Sequence, residues 1–105
     1  MAQYDVFKNP SKASRDDIPY VVVIQSDLLE HLSTRLVMPL SKSEASAPGG
    51  PAALCPAVDF DGQVLRALPH LMAAFRVRDL GRPVGSVPGF SSRLIGAVDA
   101  VLSGI

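Results

Sequence analysis

The sequence has no tryptophan, one cysteine and two histidines. A single cysteine, Cys55, excludes a disulfide bond within the chain. The lone histidines, His31 and His70, leave little material for a metal centre or a histidine-based active site. Net charge is also absent, because ten lysine and arginine residues balance ten aspartate and glutamate residues, and such a chain has no strong field to attract a nucleic-acid backbone. These absences argue against an enzyme, a cofactor or metal site and direct nucleic-acid binding.

Long apolar runs are missing as well. The sequence contains no apolar stretch long enough to be a candidate membrane span and no charged-then-apolar leader typical of a signal peptide. We therefore expect a soluble cytoplasmic protein with no membrane partner. The length of 105 residues predicts a single domain, residues 1–105, small enough that pairing with a second copy would help to bury apolar surface.

The most informative stretch runs from Tyr20 to Leu40. Val21 to Ile24 is apolar without alternation, which predicts a central strand buried on both faces. Leu36 to Met38 predicts a second strand. Pro39 would end that strand or push it to a sheet edge, because proline cannot donate a hydrogen bond to a neighbouring strand.

A polar break separates these two strands. Asp27 and Glu30 have the spacing of a capping box, but a simple local turn is the interpretation that we prefer. Leu28 and Leu29 lie in this turn and must either enter the core or remain exposed as an adhesive patch. From the residues alone, we expect them in the core.

The flanking segments predict a mainly β protein. Gln3 to Lys8 alternates and predicts a first strand whose buried face is unclear, followed by an exposed loop from Asn9 to Asp17. Ser41 to Ala53 predicts a flexible surface loop. Asp61 and Gly62 follow an alternating run from Leu54 to Phe60 and precede Val64 and Leu65, which is typical of a hairpin with positive φ at both turn residues. His70 to Val77 is compatible with either structure, and we favour a strand.

The end of the chain predicts one C-terminal helix from Phe90 to Leu102. Apolar residues at helical spacing form a stripe that would dock on the sheet, and Ser91 or Ser92 would cap the start while Gly104 would end the helix. The opposite side carries Gly96, Asp99 and Ser103, which leave it flat and open. The stripe consists of Phe90, Leu94, Val98, Val101 and Ile105.

Four segments in this order resemble the CcdB family of plasmid- or chromosome-borne toxins that poison DNA gyrase. They are IQSDLL (24–29), TRLVMPL (34–40), LCPAVDFDG (54–62) and LSGI (102–105). The resemblance implies a homodimer of small antiparallel sheets, an SH3-like partly open barrel shared with the MazF and Kid ribonuclease toxins. It also implies two partners: the A subunit of gyrase, trapped while its DNA is cut, and a CcdA-type antitoxin whose disordered segment folds on the toxin and removes it from gyrase.

The resemblance places the gyrase-binding surface on the first strand, the turn after the second strand and the end of the helix. The corresponding residues are Gln3, Tyr4, Phe7, Ser26, Leu28, Leu29, Asp99, Ser103, Gly104 and Ile105. Ser103 departs from the family's plasmid toxin, which has a tryptophan directly before the final Gly-Ile. Loss of that ring removes a large stacking area, so we expect a weaker target contact.

Two alternatives stay open. A ribonuclease toxin on the same fold needs a base, an acid and a cation near the phosphate, and Arg15, Arg35 and His70 are candidates by chemistry only. A degenerate toxin would bind only its antitoxin, and Ser103 keeps this alternative open. An antitoxin segment that folds on binding needs an apolar groove with charged rims, which we expect at the loop from Asn9 to Asp17 beside a sheet edge.

Overall fold

The computed structural model describes residues 2–42 and 54–104. The elements are β1 (Asp5–Lys8), β2 (Tyr20–Val23), β3 (Thr34–Ser41), β4 (Ala57–Phe60), β5 (Gln63–Ala67), β6 (Ala73–Arg76), α1 (Val77–Leu80), β7 (Gly85–Ser86) and α2 (Ser91–Ser103). All strand pairs are antiparallel, in the order β4-β5-β3-β2-β1-β7, with β6 also paired to β3. The protein is therefore a mainly β half-barrel with a C-terminal helix, as the sequence predicts.

Strand β2 is covered on both faces, which confirms the prediction from its unbroken apolar run. Val22 belongs to the core cluster that also contains Met38 and Leu94, on the face covered by α2. Val21 and Val23 belong to a second cluster on the opposite face. Burying a valine side chain contributes roughly 1.5–3 kcal/mol, so this strand is a main source of stability.

Pro39 lies inside β3, opposite Val21 of β2, so the prediction that it ends the strand or moves it to an edge is wrong. Its carbonyl accepts a hydrogen bond from the amide of Leu68, which follows β5, at 2.9 Å. On the side of β3 that faces away from β2, β3 pairs with β6 as far as Val37 and with β5 from Leu40 onward. The missing amide donor of Pro39 falls where β3 changes partner, so no ladder hydrogen bond is lost there.

The predicted hairpin joins β4 to β5. Asp61 and Gly62 have φ angles of 53° and 74°, which confirms the expected turn with two left-handed residues. Directly before this turn, the Phe60 ring packs edge-on against Tyr20, with ring centroids 5.0 Å apart. A Cβ added to Gly85 of β7 would overlap the same Phe60 ring. Because β4 and β7 are the two ends of the strand order, a side-chain contact closes the half-barrel.

Helix α2 docks on the sheet much as the apolar stripe predicts. Leu94 and Ala97 are buried, and Phe90 and Val98 pack against the same cluster. The helix ends at Gly104 in the left-handed conformation, with its amide 2.9 Å from the carbonyl of Ala100. No helix in the described part of the chain is both long and apolar enough to cross a membrane.

The predicted serine cap of α2 is wrong. Phe90 occupies the N-cap position, and no side chain bonds the first turn, because the preceding 3₁₀ turn Pro88–Phe90 already leads the backbone into the helix. Ile105, the last residue of the predicted stripe, lies outside the described residues.

Three other predicted segments need correction. Strand β1 begins at Asp5, since Gln3 and Tyr4 form a turn before it. The predicted strand from His70 to Val77 is limited to Ala73–Arg76, because Pro69 begins a 3₁₀ turn that includes His70. Asn9 is buried rather than exposed, since its side-chain amide donates to Ser14 Oγ and to the carbonyl of Ile18.

The predicted flexible loop from Ser41 to Ala53 is tested only at its start. Ser41 is buried and is the last residue of β3, so it does not belong to a surface loop. The amide of Lys42 donates to the carbonyl of Asp17 at 2.8 Å. Residues 43–53 lie outside the described part of the chain.

Candidate functional site

The turn between β2 and β3 projects two leucines from the sheet. Leu28 is 86% exposed and Leu29 is 44% exposed, so the prediction that they enter the core is wrong. They lie on a single 3₁₀ turn, Asp27–Leu29, whose cap is Ser26: its Oγ accepts from the amide of Leu28 at 3.2 Å. The local turn is therefore confirmed, but Ser26 rather than Asp27 caps it, and the leucines form an apolar projection.

Asp27 connects this turn to the start of the chain. Its Oδ1 accepts a hydrogen bond from the backbone amide of Gln3 at 2.8 Å, and Gln3 Nε2 donates to the carbonyl of Ile24 at 2.9 Å. The backbone amide and the side chain of Gln3 thus join the start of the chain to the segment from Ile24 to Asp27, which is distant in the sequence. The resemblance assigns Gln3 and Leu28 to one surface, and the fold brings them together.

Tyr4 has a left-handed backbone, with φ of 70°. This conformation is strained for an aromatic residue and persists only where the surroundings hold it. Here the amide of Tyr4 donates to the carbonyl of Val23 at 2.7 Å, and its carbonyl accepts from the amide of Val87 at 2.9 Å. Tyr4 lines a shallow cleft of about 450 Å³ together with Ile95 and Asp99 of α2. The start of the chain and the helix therefore share one surface.

The outer side of α2 extends this surface towards the end of the helix. A second shallow cleft of about 450 Å³ is lined by Gly96, Asp99, Leu102 and Ser103, and Leu102 is 77% exposed. Ser103 Oγ donates to the carbonyl of Asp99 at 2.6 Å, so its hydroxyl is satisfied within the helix. Gly96, Asp99 and Ser103 are exposed, which confirms the predicted open helix face, but the exposed Leu102 side chain means that this face is not flat.

The described residues that the resemblance assigns to a binding surface are exposed or half-buried, with one exception. Phe7 is 0% exposed and packs in the cluster on the face opposite α2. The prediction that Phe7 belongs to the surface is therefore wrong. Successive side chains of a strand point to opposite faces, and Val6 faces α2, so Phe7 faces the other side of the sheet. Ile105 lies outside the described residues. We call the remaining set the Leu28 surface: Gln3, Tyr4, Ser26, Leu28, Leu29, Asp99, Ser103 and Gly104.

Reasoning from the sequence missed two apolar neighbours of this surface. Ile95 and Leu102 are exposed on α2 and line the two clefts. Their positions gave a usable signal, because both are large apolar residues of the helix that do not belong to the stripe facing the sheet.

Two groups with shifted pKa values lie away from the Leu28 surface. Burial raises the pKa of the Tyr20 phenol, and its hydrogen bond and proximity to Asp61 raise it further. Burial raises the pKa of the Cys55 thiol, and the charge of the nearby Arg66 offsets part of this increase. Both groups remain protonated at neutral pH, so neither supplies an activated nucleophile.

The residues named for ribonuclease chemistry are on three separate segments. Arg35 donates from its guanidinium to the carbonyls of Glu30, Leu32 and Thr34 at 2.6–2.9 Å. Arg15 Nε donates to the carbonyl of Asn9 at 2.9 Å, in the connection between β1 and β2. His70 is exposed on the 3₁₀ turn Pro69–Leu71. The two guanidinium groups hold backbone in place, which disfavours their use on a phosphate.

The described residues contain no cluster of three or more His, Cys, Asp or Glu side chains that could hold a metal ion. What the Leu28 surface does offer is exposed apolar area on a turn and a helix, bordered by small polar groups. Such a surface suits the binding of a macromolecule.

Comparison with known proteins identifies the family. The family model described as CcdB protein matches residues 3–104, nearly the whole chain. No curated protein matches this chain. The match covers every described strand and both helices. The chain therefore belongs to the CcdB family, the toxins of toxin–antitoxin systems.

Proposed function

We propose that the protein binds the A subunit of DNA gyrase through the Leu28 surface, traps the gyrase–DNA cleavage complex and so blocks replication and growth. The observation that carries this proposal is the exposure of Leu28, at 86%, on a turn that is bonded to Gln3. An exposed leucine on an ordered turn is the type of apolar anchor that interfaces use.

A gyrase poison needs no catalytic group. It acts by binding one conformation of its target more tightly than the others and shifting the population towards that conformation. The Leu28 surface has the chemistry for this role, since it offers exposed apolar side chains and backbone for contact. Burying one leucine at an interface is worth roughly 1.5–3 kcal/mol, or about 10- to 150-fold in affinity.

Ser103 makes the helix end a weaker anchor than an aromatic residue would. Its hydroxyl bonds Asp99 in its own helix, so it adds little apolar area. Leu102, the neighbouring residue, is largely exposed and offers an apolar side chain at the same end of α2. We propose that Leu28 and Leu102 together supply the apolar contact area.

The proposed control partner is a CcdA-type antitoxin, with the toxin acting as a homodimer. An apolar groove of about 200 Å³ lies where the loop residues Asn9, Ser11 and Ser14 meet Val21, Val37 and Phe75. It borders β6, the strand that pairs only with β3 among the described strands. This groove supports the proposal that the antitoxin binds beside the loop from Asn9 to Asp17, and light scattering of the purified protein tests the dimer.

The decisive assay compares DNA cleavage with RNA cleavage. Purified protein is incubated with gyrase and supercoiled DNA, and covalent gyrase–DNA complexes are measured after denaturation. Total RNA is examined for specific cuts in parallel. We expect trapped complexes with the wild type, loss of trapping with Leu28→Asp, and retention with the control Val64→Asp, since Val64 is a comparably exposed apolar residue on the hairpin.

The other outcomes identify the alternatives. RNA cutting without gyrase trapping contradicts the proposal and supports a ribonuclease toxin. If neither activity appears while the antitoxin still binds, the protein is a degenerate toxin.

A further inference from the structure

The turn that carries Leu28 and Leu29 has little apolar support of its own. Its residues from Ser26 to Ser33 are exposed, and its 3₁₀ turn contains no buried residue. Segments with few buried contacts open easily, and an anchor that must be ordered upon binding loses affinity. The fixed position of this turn therefore depends on groups outside it.

Arg35, the second residue of β3, provides part of this support. Nη2 donates to the carbonyl of Glu30 at 2.7 Å, and Nη1 donates to the carbonyls of Leu32 at 2.6 Å and Thr34 at 2.9 Å. Arg35 is only 7% exposed, so these charge-assisted hydrogen bonds form largely out of contact with water, where they are strong. One side chain thus fastens the backbone from the end of the 3₁₀ turn to the start of β3.

Gln25 holds the same segment from the preceding side. Its Nε2 donates to the carbonyls of Leu29 at 3.3 Å and Thr34 at 3.2 Å, and its Oε1 accepts from the amide of Leu36 at 3.0 Å. Gln25 directly precedes the turn, and Arg35 follows it. Between them they bind the carbonyls of Leu29, Glu30, Leu32 and Thr34, which is the backbone from the second leucine to the start of β3.

We propose that Arg35, assisted by Gln25, is a positioning residue for target recognition, holding the turn so that Leu28 and Leu29 are presented in one fixed arrangement. The buried guanidinium is committed to backbone carbonyls, so it acts through the leucines and does not touch the target. The inference rests on the proposed function for the identity of the target. The ordering of the turn by Arg35 can be measured without any target.

Hydrogen exchange of the free protein tests the ordering. The amides of Leu29, Glu30 and Leu32 donate to carbonyls within the turn. In Arg35→Lys, a single ammonium cannot reproduce the planar fork that reaches three carbonyls, so these amides should exchange about tenfold faster or more. The matched control is Arg66→Lys, because Arg66 Nη1 also bonds a backbone carbonyl, that of Cys55, but lies on β5.

Strand β2 serves as the internal reference, and its amides should keep their protection in both variants. Unchanged exchange in the turn of Arg35→Lys would overturn the proposal, as would equal acceleration in Arg66→Lys. If Arg35→Lys does not fold, Gln25→Ala removes the second support, and the same amides are measured with the same two outcomes.

A double-mutant cycle tests the consequence for recognition. The dissociation constant for the purified gyrase A subunit is measured for the wild type, Arg35→Lys, Leu28→Ala and the double variant. Since Arg35 acts through Leu28, we expect each single change to weaken binding about tenfold, with the double variant little weaker than Leu28→Ala alone. Two independent, additive losses would contradict the positioning role. If the wild type does not bind gyrase at all, the proposed function fails, and hydrogen exchange alone decides whether Arg35 orders the turn.

Discussion

Strand β2 and the turn that follows it are adjacent in the chain but are held in place by different forces. Val21, Val22 and Val23 are buried on two faces of the sheet, whereas Leu28 in the turn is almost fully exposed. The strand is stabilised by apolar burial. The turn is stabilised by hydrogen bonds of polar side chains, both its own Ser26 and Asp27 and the flanking Gln25 and Arg35. Stability and recognition are therefore separable in this molecule, and changes in each region should affect one property more than the other.

Truncating the core beside β2 should have the largest effect on stability. Met38 pairs with Val22 and is fully buried, so Met38→Ala removes apolar contacts and leaves a cavity that costs about 2–5 kcal/mol of unfolding free energy. Leu28→Ala should change that free energy by less than about 0.5 kcal/mol. Urea denaturation measures both, and similar losses in the two variants would contradict the proposed separation of roles.

The side-chain closure of the half-barrel should give the next largest effect. In Gly85→Ala the new Cβ would overlap the ring of Phe60, and such overpacking costs about 1–3 kcal/mol. Gly89→Ala is the matched control, because a Cβ at Gly89 meets nothing within 4 Å. Thermal unfolding distinguishes them. If both variants unfold at the same temperature, the contact of Phe60 with β7 does not hold the two ends of the sheet together.

The cap of the turn should give the smallest of these effects. Ser26→Ala removes the acceptor for the amide of Leu28 and should cost about 0.5–1 kcal/mol, with faster hydrogen exchange confined to the turn. Ser92→Ala, at the start of α2 where no side chain caps the helix, should be close to neutral. A larger loss of stability in Ser92→Ala than in Ser26→Ala would show that the two caps have been assigned the wrong way round.

Local patterns predicted the elements whose structure is decided locally. The valine run of β2, the left-handed pair Asp61 and Gly62, and the apolar stripe of α2 all form as expected. The failures arise from non-local structure. Pro39 is tolerated because β3 changes partner at that residue, and no pattern near Pro39 indicates such a change.

The candidate site shows the same limit. Leu28 and Leu29 are apolar by composition, but whether they are buried depends on how far the turn projects from the sheet. Arg35 has the chemistry of a phosphate-binding cation, yet its partners are backbone carbonyls, which a sequence does not display. Phe7 was placed on the surface by the resemblance, and the alternation of β1 buries it. The sequence therefore does not display the exposure or the contacts of these side chains, which depend on the fold.

Affinity for the gyrase A subunit tests the central claim most directly. The measurement is the dissociation constant of the wild type, of Leu28→Ser and of Val64→Ser, a control in which an apolar residue that is 64% exposed is changed on β5. We predict that Leu28→Ser binds at least about tenfold more weakly because one buried leucine is lost from the interface, while Val64→Ser binds like the wild type. Wild-type affinity in Leu28→Ser would contradict the assignment of the Leu28 surface.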